Sequence, residues 1–266
     1  MELTSKVFVV TGGGNGMGRE VVLGLLQRGA KVAAVDFSED GLAETKRLAG
    51  TASGLSLHRL DVSDRAAVLA LPDAVVKEHG AVDGLLNVAG IIQPFVKIAE
   101  LDFAHIEHVM NVNFWGVVNT VKAFLPLLQQ RPSAAVVNVS SMGGFLPVPG
   151  QAAYGASKAA VKLFTEALYA ETQGTSVAVT VVFPGGVATN ITVNSGVEMP
   201  KMTGGSGKMP KTTSPEEAGR LIIEGLEKGS YRVLIGSDAK FMDRMARLAP
   251  RRATELIAKQ MKALLG

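Results

Sequence analysis

Short, almost wholly apolar runs recur along this chain, and between them hydrophobic positions return every three or four residues. The runs are Lys6–Val10, Lys31–Val35, Leu55–Leu60, Gly84–Val88, Ala134–Val139, Val177–Val182 and Tyr231–Ile235. Most are rich in β-branched residues, and their near-continuous apolarity marks strands buried on both faces. The intervening periodicity predicts helices near 17–28, 39–49, 64–79, 102–128, 152–172 and 215–228. Strand and helix in alternation predict an α/β fold, a doubly wound parallel sheet of about seven strands with helices on both faces. No fixed repeat or linker divides residues 1–236, which read as one domain.

Local markers sharpen several boundaries. Ser214-Pro215-Glu216-Glu217 reads as a capping box opening a helix, with Pro in the first turn. Residues 190–213 have no clear period and carry four glycines with Met199, Met202 and Met209. A loop of that length inside a compact domain suggests a lid. Residues 237–266 form a helical extension of two amphipathic stretches broken at Pro250, the second with Leu256, Ile257, Met261, Leu264 and Leu265 on one face.

Charge and composition narrow the classes. The net charge is +3, and residues 237–266 alone hold seven Lys/Arg against three Asp/Glu, leaving the rest at −1. Phe241 is the only aromatic in that basic segment, so a nucleic-acid partner is not expected. The basic tail could lie on an anionic membrane, but packing on the domain or on a neighbouring subunit is preferred. There is no Cys, which removes disulfides, thiolate metal sites and a Cys nucleophile. With no spanning segment and no signal-peptide core, a cytoplasmic protein is expected.

The first strand runs into Thr11-Gly12-Gly13-Gly14-Asn15-Gly16-Met17-Gly18 and then a helix. Glycines there permit a tight turn and let the backbone approach a pyrophosphate at the helix N-terminus. The spacing is G-x-x-x-G-x-G, not G-x-G-x-x-G. The second strand ends in Asp36, followed by Phe37. An acid there can accept both ribose hydroxyls of an adenosine and repels a 2′-phosphate, which argues for NAD over NADP as cofactor. The strand ending at Val139 leads to Ser140-Ser141, and Tyr154 and Lys158 follow at i and i+4 on one helix face. A phenol beside an ammonium and a cationic nicotinamide can become a base near neutral pH. Ser141 can donate a hydrogen bond to the reacting oxygen. His105 and His108 stand one helical turn apart but have no apparent third ligand, so no metal is expected.

These residues together resemble the short-chain dehydrogenase/reductase family, over about residues 4–236. The motifs are Thr11-Gly12-x-x-x-Gly16-x-Gly18, Asp61-Val62, Asn87-Val88-Ala89-Gly90, Asn113, Ser141, Tyr154-x-x-x-Lys158 and Pro184-Gly185, in the family order. Val88 departs from it, since the family commonly has a second Asn there. The resemblance implies a Rossmann-type seven-stranded sheet. It implies that Tyr154 moves the proton, Lys158 lowers its pKa and holds the nicotinamide ribose, and Ser141 orients the substrate oxygen. Asn113 would support a water-linked relay to Lys158. Gly12, Asn15, Gly16, Met17, Gly18, Asp36, Phe37, Asp61, Val62, Asn87, Ala89 and Gly90 would line the cofactor, with Pro184, Gly185, Val187 and Thr189 at its nicotinamide end. A homo-oligomer, tetramer or dimer, is implied through the helices near 102–128 and 152–172.

Phe95, Gly143, Phe145, Val148 and Gln151, with Met199 and Met202 from the lid, are expected around Ser141 and Tyr154 as the substrate pocket. Its apolar character hints at a lipophilic secondary alcohol or ketone. A 3-oxoacyl-thioester reductase is the alternative within enzymes, kept open by Lys201, Lys208 and Lys211. A non-catalytic dinucleotide sensor or scaffold is the alternative outside them.

Overall fold

The computed structural model describes residues 1–51, 53–197 and 212–261. Seven parallel strands form one sheet in the order β3-β2-β1-β4-β5-β6-β7. They are β1 (Val7–Thr11), β2 (Lys31–Asp36), β3 (Leu55–Arg59), β4 (Gly84–Asn87), β5 (Ala134–Val139), β6 (Val177–Pro184) and β7 (Arg232–Ile235). The helices are α1 (Gly16–Gln27), α2 (Glu39–Ala49), α3 (Arg65–His79), α4 (Phe103–Met110), α5 (Gly116–Leu128), α6 (Ala152–Glu171), α7 (Ile191–Asn194), α8 (Pro215–Lys228), α9 (Ser237–Leu248) and α10 (Pro250–Met261).

The central strands are buried throughout, β1 and β5 at every residue. That is why their sequence shows no alternation. One core joins the sheet to α1 and α8 through Val21, Val22, Leu25, Ala218, Ile222 and Ile223. The opposite core joins it to α3, α5 and α6 through Leu71, Val75, Val121, Phe124, Val161 and Leu168. The chain winds outward from β1 to β3, then returns beside β1 as β4. This reversal leaves a crevice at the carboxyl ends of β1 and β4, because the crossovers there depart in opposite directions.

Sequence periodicity placed one helix at 102–128. The structure divides it into α4, a π turn over Asn111–Trp115, and α5. The hydrophobic pattern continues through the turn, so it hides the break, and such π turns gather at functional sites. The Ser214 box forms as predicted: its hydroxyl accepts from the Glu217 amide at 3.2 Å. The two tail stretches are α9 and α10. Their apolar faces, with Met242, Ala253 and Ile257, pack on Leu146 and against Met142 and Phe145 of the same chain. Among the described residues no helix is long and apolar enough to cross a membrane.

Candidate active site

The crevice is a cleft of about 560 Å³ lined from the β1, β2, β3 and β4 ends and by residues 189–194. At its centre the glycine loop folds back on itself. Gly12 has φ +73°, and a Cβ on it would meet the Ala89 backbone at 2.8 Å. A Cβ on Gly18 would lie 2.0 Å from the Gly12 carbonyl oxygen, so no other residue fits there. Thr11 Oγ1 accepts from the Val88 and Ala89 amides at 3.2 and 3.3 Å and ties the loop to the β4 end. Asn15 caps α1, accepting from the Gly16 amide at 2.7 Å. The twelve-residue α1 thus opens onto the cleft, where its dipole favours an anion.

At one end of the cleft lie Asp36, Phe37, Asp61 and Val62. The Asp36 carboxylate accepts from the Gly14 amide at 2.8 Å and the Ser38 amide at 2.9 Å. Nearby cations are engaged elsewhere. Arg19 donates to the Gly14 carbonyl and, at 3.1 Å, to Thr45 Oγ1. Arg59, the register partner of Asp36, pairs with Glu39 at 3.4 Å. Neither guanidinium is paired with the Asp36 carboxylate.

Ser141, Tyr154 and Lys158 come together from β5 and α6. Ser141 Oγ accepts from the Gly143 amide at 3.0 Å. Burial raises the Tyr154 phenol above its ordinary value, partly offset by the Ser141 hydroxyl. Lys158 is buried, and loss of solvation lowers its ammonium to about 8. Its Nζ donates to the Val139 carbonyl at 3.0 Å and lies 6.0 Å from the Tyr154 ring centre. A Cβ on Gly90 would stand 3.0 Å from that Nζ and 3.3 Å from Asn113 Oδ1, so bare backbone lets the three meet. The π turn brings Asn113 inward, where its amide pairs with both backbone groups of Ile91 at 2.8 and 2.9 Å and with Ser157 Oγ at 3.0 Å.

Several sequence expectations are displaced. Asn87 is buried below the cleft, bonded to Asn138 at 2.9 Å and Thr120 at 2.8 Å, because two facing strand-end amides satisfy each other. Pro184, Gly185 and Val187 are not among the residues lining the cleft. Gly185 is bare because the Asp238 carboxylate of α9 occupies the space its Cβ would fill, while Val187 packs on the core. Phe145 packs on Phe183, ring centres 5.4 Å apart, and near Arg232, with the tail helices and away from this cleft. Gln151 is buried with its amide donating to the Gln93 carbonyl at 2.8 Å. Phe95 and Val148 are half-buried, and Gly143 lies against the Tyr154 ring. Met199 and Met202 lie outside the described residues.

Other lining residues were not expected at the cofactor cleft: Ser38 and Val112, His108, which the sequence offered only as half of a metal pair, and Asn190, Ile191 and Asn194, which it offered only as part of a lid. His108 and Val112 do sit one helical turn apart just before Asn113, a spacing that could have drawn attention to them. Asn194 and Ser195 carried no such signal, and they are placed by contacts across the cleft, Asn194 to Asn15 at 3.3 Å and Ser195 to the Ile92 amide at 3.0 Å.

A nicotinamide dinucleotide fits this donor set. The open helix end suits the pyrophosphate, Asp36 suits ribose hydroxyls, and the cleft runs on to Gly90 and Thr189 near Lys158. A model of the short chain dehydrogenase family matches residues 6–199. The chain is 42% identical over 260 residues to SadH of Mycobacterium tuberculosis, named as an oxidoreductase, across 95% of this chain and 94% of that one. A solved short-chain dehydrogenase/reductase from Burkholderia phymatum, in complex with NAD, superposes with a TM-score of 0.81 at 27% identity, covering 93% of this chain and 96% of that one. A short chain dehydrogenase from Burkholderia cenocepacia, in complex with NADP, gives 0.80 at 25%, covering 97% and 99%.

Proposed function

Because the chain belongs to the short-chain dehydrogenase/reductase family of oxidoreductases, we propose that it interconverts a lipophilic secondary alcohol and its ketone, with NAD as the preferred cofactor. The observation that carries this reading is the meeting of Ser141, Tyr154 and Lys158, with the Lys158 ammonium set against Gly90 of the dinucleotide cleft. Mere binding needs no buried phenol there.

The bound dinucleotide would supply or accept a hydride at its nicotinamide ring. The chain's own residues do the rest. Tyr154 holds its proton at neutral pH because burial raises its pKa, so it is ready to protonate a carbonyl oxygen. In the oxidative direction it must lose that proton first; a bound cationic nicotinamide would favour the phenolate, as would Lys158 while it stays charged below about pH 8. Ser141 donates to the same oxygen and fixes its direction. Lys158, set against the bare backbone of Gly90, would hold the nicotinamide ribose. Asn113, pinned at the π turn, supports a water-linked path to Lys158.

Asp36 supports NAD, since its carboxylate repels a 2′-phosphate and the neighbouring guanidinium groups are paired elsewhere. Half-buried Ile91, Phe95 and Val148, on the segments that follow β4 and β5, support an apolar substrate. Exposed Phe103, Trp115 and Leu163, on α4, the π turn and α6, support a homo-oligomer joined through that face.

The test is reduced-dinucleotide formation with NAD or NADP and a panel of secondary alcohols from polyols to steroids. Turnover with NAD and an apolar alcohol is expected, reduced at least about a thousand-fold in Tyr154→Phe with dinucleotide binding retained. Equal behaviour of variant and parent would favour a sensor.

A further inference from the structure

The first turn of an α-helix leaves backbone N–H groups without intrahelical acceptors. In α6, which carries Tyr154 and Lys158, the N-cap residue Gln151 makes no side-chain cap bond. The acceptor comes from far away in sequence. Gln93 Oε1 accepts from the Ala153 amide at 2.7 Å and from the Tyr154 amide at 3.1 Å. Its Nε2 donates to the Gly150 carbonyl at 3.0 Å, and its main-chain oxygen accepts from Gln151 at 2.8 Å. Gln93 is fully buried, and these partners leave no ambiguity in which way its amide faces.

Gln93 ends a three-residue segment after the β4 end in which each residue holds a different part of the site. Ile91 exchanges both backbone hydrogen bonds with Asn113. The Ile92 amide donates to Ser195 beyond α7. Gln93 holds the start of α6. The loop that floors the cofactor cleft is thus fastened directly to the backbone of Tyr154.

We propose that Gln93 is a positioning residue for the reaction: it caps the catalytic helix in trans and sets the height of the Tyr154 phenol relative to the cofactor cleft. It touches neither substrate nor cofactor and acts through Tyr154. A short apolar replacement frees two helix N–H groups in a buried place, so the first turn loosens and the phenol becomes better hydrated. The inference rests on the redox reading only for its kinetic part.

The chain has three tyrosines, so phenolate formation can be followed by ultraviolet titration and the Tyr154 step assigned with Tyr154→Phe. In Gln93→Leu this step is expected to fall by about one pH unit toward an ordinary phenol. With an active alcohol, kcat drops about 10- to 100-fold while KM for the dinucleotide changes little. Gln93→Glu is the rescue. Its protonated carboxyl keeps both acceptor contacts and the donor to Gly150, whereas the carboxylate places a bare oxygen against that carbonyl. Its kcat should therefore approach the parent's at acid pH and fall through a new titration step that the parent lacks.

An unchanged Tyr154 titration with kcat within two-fold of the parent in Gln93→Leu would overturn the proposal. If Gln93→Leu does not fold, the Glu variant decides. A new step at a pH where circular dichroism and dinucleotide binding are constant supports the proposal, and its absence refutes it. If the parent turns over nothing, the redox reading fails, and the phenol titrations of both variants still decide the positioning role.

Discussion

Lys158 Nζ donates to the main-chain oxygen of Val139 at 3.0 Å, which ties the buried ammonium to the last residue of β5. A single neutral carbonyl compensates only part of the lost hydration, and the ammonium is lowered to about 8. The cation that the proposed chemistry uses is therefore held at a cost to the fold.

That cost has a definite pH dependence. Below pH 8 the lysine is charged in both folded and unfolded chains, and the penalty is complete. Between about 8 and its unfolded value of 10.5 the folded chain sheds the proton first, so stability rises with pH. Lys158→Met should therefore be more stable than the parent at pH 7 by up to about 3 kcal/mol, with turnover lost. The advantage should shrink above pH 8 and vanish beyond 10.5. Denaturant unfolding at several pH values measures it, and a less stable variant at pH 7 would contradict it.

Tyr154 should give opposite profiles in the two directions. Its raised pKa keeps the phenol protonated at neutral pH. Ketone reduction should be flat through neutrality and decline on the alkaline side, while alcohol oxidation climbs there. Initial rates in both directions across pH would show it, and parallel profiles would remove Tyr154 as the proton carrier.

Asp36 holds the glycine loop through Gly14, and in the proposed reading its carboxylate also turns away a 2′-phosphate. Asp36→Ala should weaken NAD and spare NADP by comparison. The selectivity for NAD over NADP, read as a ratio of kcat/KM values, should fall at least about ten-fold, or about 1.4 kcal/mol. An unchanged ratio would place cofactor choice elsewhere.

The tail is expected to act as core. Ile257, 7% exposed, packs with Met242 and Ala253 over Leu146. Ile257→Ala should lower the unfolding free energy by about 2 kcal/mol. Since that face is already covered, the folded chain should not cosediment with anionic vesicles. Vesicle binding by the parent would mean that the face opens.

The alternating apolar runs located all seven strands to within two residues at each end, because strands buried on both faces must be apolar throughout. Glycine spacing located the tight turn before α1 because Gly18 has no room for a side chain, a constraint written into one residue type. The pair Tyr154 and Lys158 was legible because one helical turn fixes their relation. Other features had no local trace. The π turn at Asn113 left no mark in the apolar pattern, which stays helical on either side of it. Phe145 reads as a pocket residue by its place after β5, yet the tail helices supply it a better partner surface. Gln93 looks like any polar loop residue, and Asn87 like a cofactor contact. Their roles come from partners about 60 and 50 residues away in sequence, which meet only when β4, β5 and α6 pack side by side. Sequence fixes what short-range sterics and periodic burial enforce; which buried polar group satisfies which is decided by tertiary packing, because a hydrogen bond depends on distance in space and not along the chain.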